Sequence, residues 1–344
     1  MEKDCFLDLA HEQVEQLLSA LDEKKFHAVQ LLKWVYNEKV DVFSDCTDLS
    51  LQLREKLAGR FILRKLALKA KRTSKLDNTV RYTFATHDKL SFQTVLLPQK
   101  NRISICLSTQ IGCNIKCSFC ASGKHKFVRN LSSGEILEQI VYIQKDAGIK
   151  IDSVLFMGMG EPLLNYDNVV KAIKILVDTR YFSLSRRHIV ISTIGFVPEI
   201  NKLSKEKLGV RLALSLHAPD DDTRRKLISH RVPYSVNEIL QAGLEYSRIN
   251  KSRLTIEYVL ITGINDDIDS AKKLAFLIKR SIIRTDKIQI NLIPCNPTET
   301  SIKKIPDIVT VQMFKNYLMK ENLLTIIRQS RGIDIGAACG QLTV

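Results

Sequence analysis

No run of about 18 apolar residues occurs in this 344-residue chain, so no membrane-spanning helix is expected. The opening stretch, MEKDCFLDLAHEQ, is acidic and lacks the apolar centre of a secretory signal. Internal repeats and low-complexity segments are missing too. A cytoplasmic location with reduced thiols is expected, so the 8 cysteines do not read as a disulfide framework. What the chain has in excess is positive charge, a net +15 with a pI near 9.4. That suits a polyanionic partner such as nucleic acid. The charge is unevenly placed. Residues 1–60 carry 8 Lys/Arg against 12 Asp/Glu, whereas FILRKLALKAKRTSKL (61–76) carries six basic residues and no acidic one.

Residues 6 to about 58 show apolar positions at three- and four-residue spacing, in AHEQVEQLLSAL, KFHAVQLLKWVYNE and DLSLQLREKLAG. The spacing predicts a small helical domain over 1–59, with Gly59 as the stop of its last helix. A basic linker and β-hairpin over 60–100 follows, with His87 and Asp88 in the turn between TVRYTFAT and LSFQTVLLP. From about Ile103, apolar runs alternate with amphipathic ones. ISICLS, SVLFMG, HIVISTIG, VRLALSLHA, LTIEYVLI and IQINLIP read as strands, and LLTIIRQS as a possible further strand. Six β/α units predict an α/β fold, a partial (β/α)6 barrel over 101–344. Residues carrying chemistry should then gather in the loops after the strands. The cysteine cluster, GMGEP, SLHAP and PCNP all fall there.

CNIKCSFC places Cys113, Cys117 and Cys120 in a C-x-x-x-C-x-x-C spacing. A structural zinc site wants four ligands, and no second Cys or His pair follows. His125 is a lone histidine in a Lys-rich loop. Three thiolates suit a four-iron cluster with one iron left free to bind a small molecule through amino and carboxylate groups.

That spacing, with Phe119 before the last cysteine, resembles the signature of the radical S-adenosylmethionine enzymes. CLSTQIGCNIKCSFCASG, FMGMGEPLLNYDNV, ISTIGFVPEI, LALSLHAP and IDIGAACGQL together resemble the RlmN/Cfr family of RNA adenine methyltransferases, over essentially the whole chain. Pro162 fits the C2-methylating branch better than the C8-methylating one, which tends to have Ala there. The resemblance implies a 4Fe–4S cluster on Cys113, Cys117 and Cys120, and two S-adenosylmethionine molecules per turnover. It implies that Gly160, Glu161, Ser192, Ser215, Leu216, His217 and Asn296 hold the S-adenosylmethionine. It implies that Cys339 carries the methyl group and later the RNA, and that Cys106 resolves the adduct, leaving a Cys106–Cys339 disulfide to be reduced. Implied partners are 23S rRNA, tRNA and an electron donor such as flavodoxin or ferredoxin, with the chain a monomer. Gln93 departs from the pattern: many relatives have a glutamate there as proton acceptor, and an amide cannot serve. Two rival readings are the C8 enzyme and a zinc-containing RNA-binding protein without catalysis.

Overall fold

The computed structural model describes residues 3–229, 232–281, 287–298 and 305–343. Near the N-terminus, β1 (Asp4–Cys5) pairs in parallel with β2 (Phe61–Ile62), closing a loop around α1 (His11–Ser19), α2 (Phe26–Lys33) and α3 (Leu51–Arg60). Apolar positions of these helices, such as Val14, Leu18, Leu31 and Leu57, are fully buried around Phe6 and Phe43. Gly59 does not stop its helix. It lies inside the last turn of α3, where nothing lies within 4 Å of the place its side chain would occupy. The helix ends instead at Phe61, whose extended backbone leads into β2.

The rest is organised by one ten-stranded sheet. Three antiparallel strands come first: β3 (Ala67–Thr73), β4 (Val80–Ala85) and β5 (Ser91–Gln99). β5 also pairs antiparallel with β6 (Arg102–Cys106). A short ribbon, β7 (Gln110–Ile111) with β8 (Arg129–Asn130), brackets the cysteine loop and leads to α4 (Ser133–Ala147). There follow β9 (Ser153–Phe156), α5 (Tyr166–Val177), β10 (Ile189–Thr193), α6 (Val197–Lys205), β11 (Arg211–Ser215), α7 (Asp221–Leu227) and α8 (Val236–Asn250). β12 (Leu254–Leu260), α9 (Ile268–Ser281), β13 (Ile288–Pro294), α10 (Ile308–Lys320) and β14 (Thr325–Ile327) complete the chain.

The sheet order is β14-β13-β12-β11-β10-β9-β6-β5-β4-β3, and β6 together with β9 to β14 runs parallel. This is the expected α/β barrel with the further strand added, seven parallel strands in all. Helices cover the outer face because their apolar stripes must be buried there. Ile136, Ile140, Ile173, Ile239, Leu240 and Leu274 are fully buried on that side. The antiparallel β3–β5 segment continues the same sheet. β3, drawn from the basic stretch, is exposed at all seven residues and forms one edge.

The helical region is fastened to the barrel by carboxylates. Glu138 on α4 accepts the Lys65 and Leu66 amides at 2.9 and 3.0 Å, and Asp8 Oδ1 accepts the Gly134 amide at 2.7 Å.

Candidate active site

Parallel strands pair in register, so their C-terminal ends lie side by side. A cavity of about 1300 Å³ begins there and runs down the barrel lumen. Its upper wall holds Cys113, Cys117 and Cys120 on the loop after β7, Cys106 at the end of β6, and Cys339 on the C-terminal segment. Gly160, Glu161, Ser192, Ser215, His217 and Asn296 line it as well. Leu216 is the exception: its side chain is fully buried outside the cavity, and its carbonyl accepts a hydrogen bond from Arg224.

The cysteine loop is tightly folded. Lys116 takes a positive φ of 58°, and Gly123 packs where a side chain would meet Lys116 Cα at 3.0 Å. The Ser118 amide donates to Leu227 O at 2.9 Å, fixing the loop on α7. Burial pushes the Cys113 thiol up to about 11, and the Cys117 thiol well above its usual value. Thiolates form in such a place only with a cation among them. Among the described residues, no three His, Cys, Asp or Glu side chains converge as a single metal ion requires. Three thiols on one cavity wall suit a multi-iron cluster, which three cysteines can hold with one iron left without a protein ligand.

The C-terminal segment is sewn to this loop. The Ala121 amide donates to Gly340 O at 2.7 Å, and Ser122 Oγ donates to Leu342 O at 2.7 Å. Gln341 Nε2 donates to Pro297 O at 2.8 Å, and Asn296 Nδ2 donates to Cys339 O at 3.1 Å. Cys339 is ringed by protein yet open to the cavity, and burial raises its thiol. Cys106 is pushed up to about 12 by burial, with Cys339 beside it adding to the effect. Arg328 opposes the rise at both thiols.

Glu161 is buried, with Oε1 accepting the Leu163 amide at 3.0 Å and Oε2 the Ile194 amide at 2.8 Å. Burial nevertheless raises its carboxyl to about 7. An incoming ammonium group would relieve that cost. Gly160 has φ +99°, and a side chain there would meet Gln110 Cβ at 2.5 Å, so only glycine fits. His217 accepts the Val259 amide on Nδ1 at 3.1 Å, which places its proton on Nε2. Burial, then Arg224, lowers it to about 3, so the ring is neutral. It meets Phe119 edge to face at 5.0 Å. The Ser192 and Ser215 hydroxyls lie 3.2 Å apart.

Gln93 does not line the cavity. It is buried on β5, and its Oε1 accepts the Thr343 amide at 3.1 Å. Sequence reasoning missed three residues here. Arg224, 4% exposed, donates to the Ile194, Ser215 and Leu216 carbonyls beneath the cysteine loop. Glu257 projects into the lumen, held by Asn291 Nδ2 at 2.8 Å, and burial raises its carboxyl. Arg328 lies at the end of β14 and lines the same cavity. A cation in a basic run and an acid in an apolar strand carry no local signal.

A cluster loop at the top of a partial barrel, with a buried carboxylate and paired cysteines around it, defines a radical S-adenosylmethionine enzyme. Residues 107–275 match the radical SAM superfamily model, and residues 6–63 match the ribosomal RNA large subunit methyltransferase N-terminal domain. A solved radical SAM methyltransferase from Sphaerobacter thermophilus superposes with a TM-score of 0.92 at 35% identity, covering 98% of this chain and 99% of that one. A probable dual-specificity RNA methyltransferase RlmN from Endomicrobium trichonymphae is 43% identical over 340 residues, 99% of this chain and 97% of its own. Its counterpart from Thermotoga sp. strain RQ2 is 44% identical over 336 residues, 98% and 96%. The chain belongs to the RlmN family, and is an S-adenosylmethionine-dependent RNA methyltransferase that uses a 4Fe–4S cluster.

Proposed function

We propose that the chain methylates C2 of adenine, in the peptidyl-transferase loop of 23S rRNA and in tRNA at the adenosine 3′ of the anticodon. The observation that carries this reading is the opening of Cys339 and Cys106 into the cavity walled by the three-cysteine loop. Relatives named dual-specificity support keeping both RNAs.

Cys113, Cys117 and Cys120 would hold the cluster. Gly160, Glu161, Ser192, Ser215, His217, Asn296 and the backbone at Leu216 would hold S-adenosylmethionine, with Glu161 facing its ammonium. When bound, cluster and cofactor supply the one-electron chemistry that an aromatic C–H carbon needs. Cys339 takes up the methyl group, and its small neighbours Ala338 and Gly340 leave room for a base beside it. One methyl hydrogen would be lost to the radical chemistry that the bound cofactor supplies; the carbon left on the Cys339 sulfur bonds to the adenine, and the covalent RNA–protein adduct gives up one electron to the same redox chemistry as it loses the ring proton. Cys106 helps remove the ring proton, since the Gln93 amide cannot accept one and is engaged by Thr343. The Cys106 sulfur, giving up its proton again, then attacks Cys339 sulfur. The S–S bond forms, the C–S bond breaks, and its electron pair takes a proton to complete the methyl group. A small electron carrier such as flavodoxin or ferredoxin would supply the electron. The exposed basic strand β3 supports RNA binding beside the helical region.

The test is mass spectrometry of nucleosides from rRNA and tRNA of a strain lacking the gene, with and without complementation. Loss and return of 2-methyladenosine in both RNAs is expected. Loss of 8-methyladenosine instead would assign the C8 reaction, and no change in methyladenosine would remove the proposal.

A further inference from the structure

At its upper end the lumen is capped by the cysteine loop and by the C-terminal segment bonded to it. The cavity continues downward to the N-terminal ends of the strands, and there its lining turns basic: Lys100, Arg102, Arg187 and Arg211. Arg102 opens β6 and Arg211 opens β11. Arg187 precedes β10 by two residues, and the Leu212–Leu254 pairing sets Arg211 beside Arg253.

Three guanidinium groups thus line one mouth with Arg253 close behind Arg211, and none of the four has a carboxylate partner among the described residues. Asp152, nearby on the same rim, accepts the Ile103 amide on its Oδ2 at 2.8 Å. Arg102 Nη2 donates to Ser153 Oγ at 3.0 Å, while its buried Nε has no partner. Burial and the neighbouring Arg102, Arg253 and Arg187 charges all press against the charged form of Arg211. Packing like charges together costs free energy that an anion recovers, and the guanidinium fork matches phosphate oxygens.

We propose that this mouth grips the phosphodiester backbone of the RNA, so that the target adenine enters the lumen from the end opposite the cysteine loop. The inference rests on the chain acting on RNA, and it names where that RNA is held. RNA fits better than an acidic protein because the bound group must send one base inward. Arg102 and Cys106 are four strand residues apart, about 13 Å. An extruded nucleotide, met partway by a guanidinium arm, covers that span. The lumen between carries the polar side chains of Ser104, Glu257 and Asn291 among apolar ones, and can accept a base face and edge.

The experiment measures binding without turnover. A transcribed hairpin of the 23S rRNA peptidyl-transferase loop is titrated with cluster-loaded protein by fluorescence anisotropy at 50 and 200 mM salt. The R187E/R211E double variant changes two exposed side chains, and its iron content and Tm confirm that it folds. The expected result is a loss of at least about tenfold in affinity at 50 mM, with a salt slope shallower by about two phosphates. Arg248→Glu, half that charge change on an exposed side chain of α8, stays within about twofold. Unchanged affinity and slope in the double variant would overturn the proposal. So would unchanged RNA affinity with slower cluster reduction by flavodoxin, which would mark a protein-docking face. Displacement of the hairpin by inorganic phosphate, beyond the effect of chloride at equal ionic strength, would mark a free-phosphate site instead. A wrong assignment of the methylated carbon would leave this binding result untouched.

Discussion

Asn296 Nδ2 donates a hydrogen bond to the Cys339 carbonyl at 3.1 Å, across 43 positions of sequence. Asn296 follows β13, so a strand end of the barrel directly sets the height of the C-terminal segment in the cavity. The same segment is held on its other side by Ala121, immediately after Cys120. Cys339 is therefore positioned between the cofactor loops and the cluster loop, although Gly336 and Gly340 on either side of it have positive φ and no regular structure supports it.

This bond is testable apart from cofactor binding. Asn296→Ala removes the donor and leaves the Cys339 carbonyl without it, a loss of about 1–3 kcal/mol. If all of it falls on placement of Cys339, methyl transfer to RNA slows roughly 5- to 150-fold. Because Asn296 is also an expected cofactor contact, KM for S-adenosylmethionine is measured beside kcat. A rise in KM alone, with kcat unchanged, would show that the carbonyl bond does not matter to catalysis.

Cys106 and Cys339 should fail differently. Cys339→Ala removes the proposed carbon carrier, so methylation should fall to background while the cluster absorbance is retained. Cys106→Ala leaves the carrier in place and removes the thiol that releases it. Protein covalently joined to RNA should accumulate, visible as a band that disappears on nuclease treatment. A Cys106→Ala enzyme that turns over normally and leaves no such band would remove the resolving role.

How much of this could be read from the chain depends on where each signal lies. The barrel strands were legible because a strand buried on both faces is a continuous apolar run, as in VRLALSL. β3 was not legible as a strand, because an edge exposed at every residue carries Lys and Arg rather than an apolar alternation. Gly59 misled because glycine stops helices only when the backbone turns there, and in α3 it does not. The cavity residues were found through motif order at strand ends. Arg224 was not, because its burial is created by carbonyls of three residues from two other loops. In sequence, DDTRRKL is only a charged stretch.

The junction between the helical region and the barrel should titrate. Glu138 is fully buried and spends both oxygens on the Lys65 and Leu66 amides. Burial raises its carboxyl from 4.5 to about 7, and the two N–H bonds hold back part of that rise. Between those values the native chain keeps a proton that the unfolded chain has lost. The contribution of this group is therefore full below about pH 4.5 and is lost as pH rises to about 7, on the order of 3 kcal/mol. In Glu138→Gln the amide accepts at one oxygen only, so a constant penalty of about 1–3 kcal/mol appears and the titration vanishes. Urea unfolding at pH 5 and pH 7.5 separates the two effects. Wild type should lose stability relative to Glu138→Gln across that interval. A gap between the two proteins that is the same at both pH values would mean the carboxylate is already ionised at pH 5, and that the amides of Lys65 and Leu66 outweigh the cost of its burial.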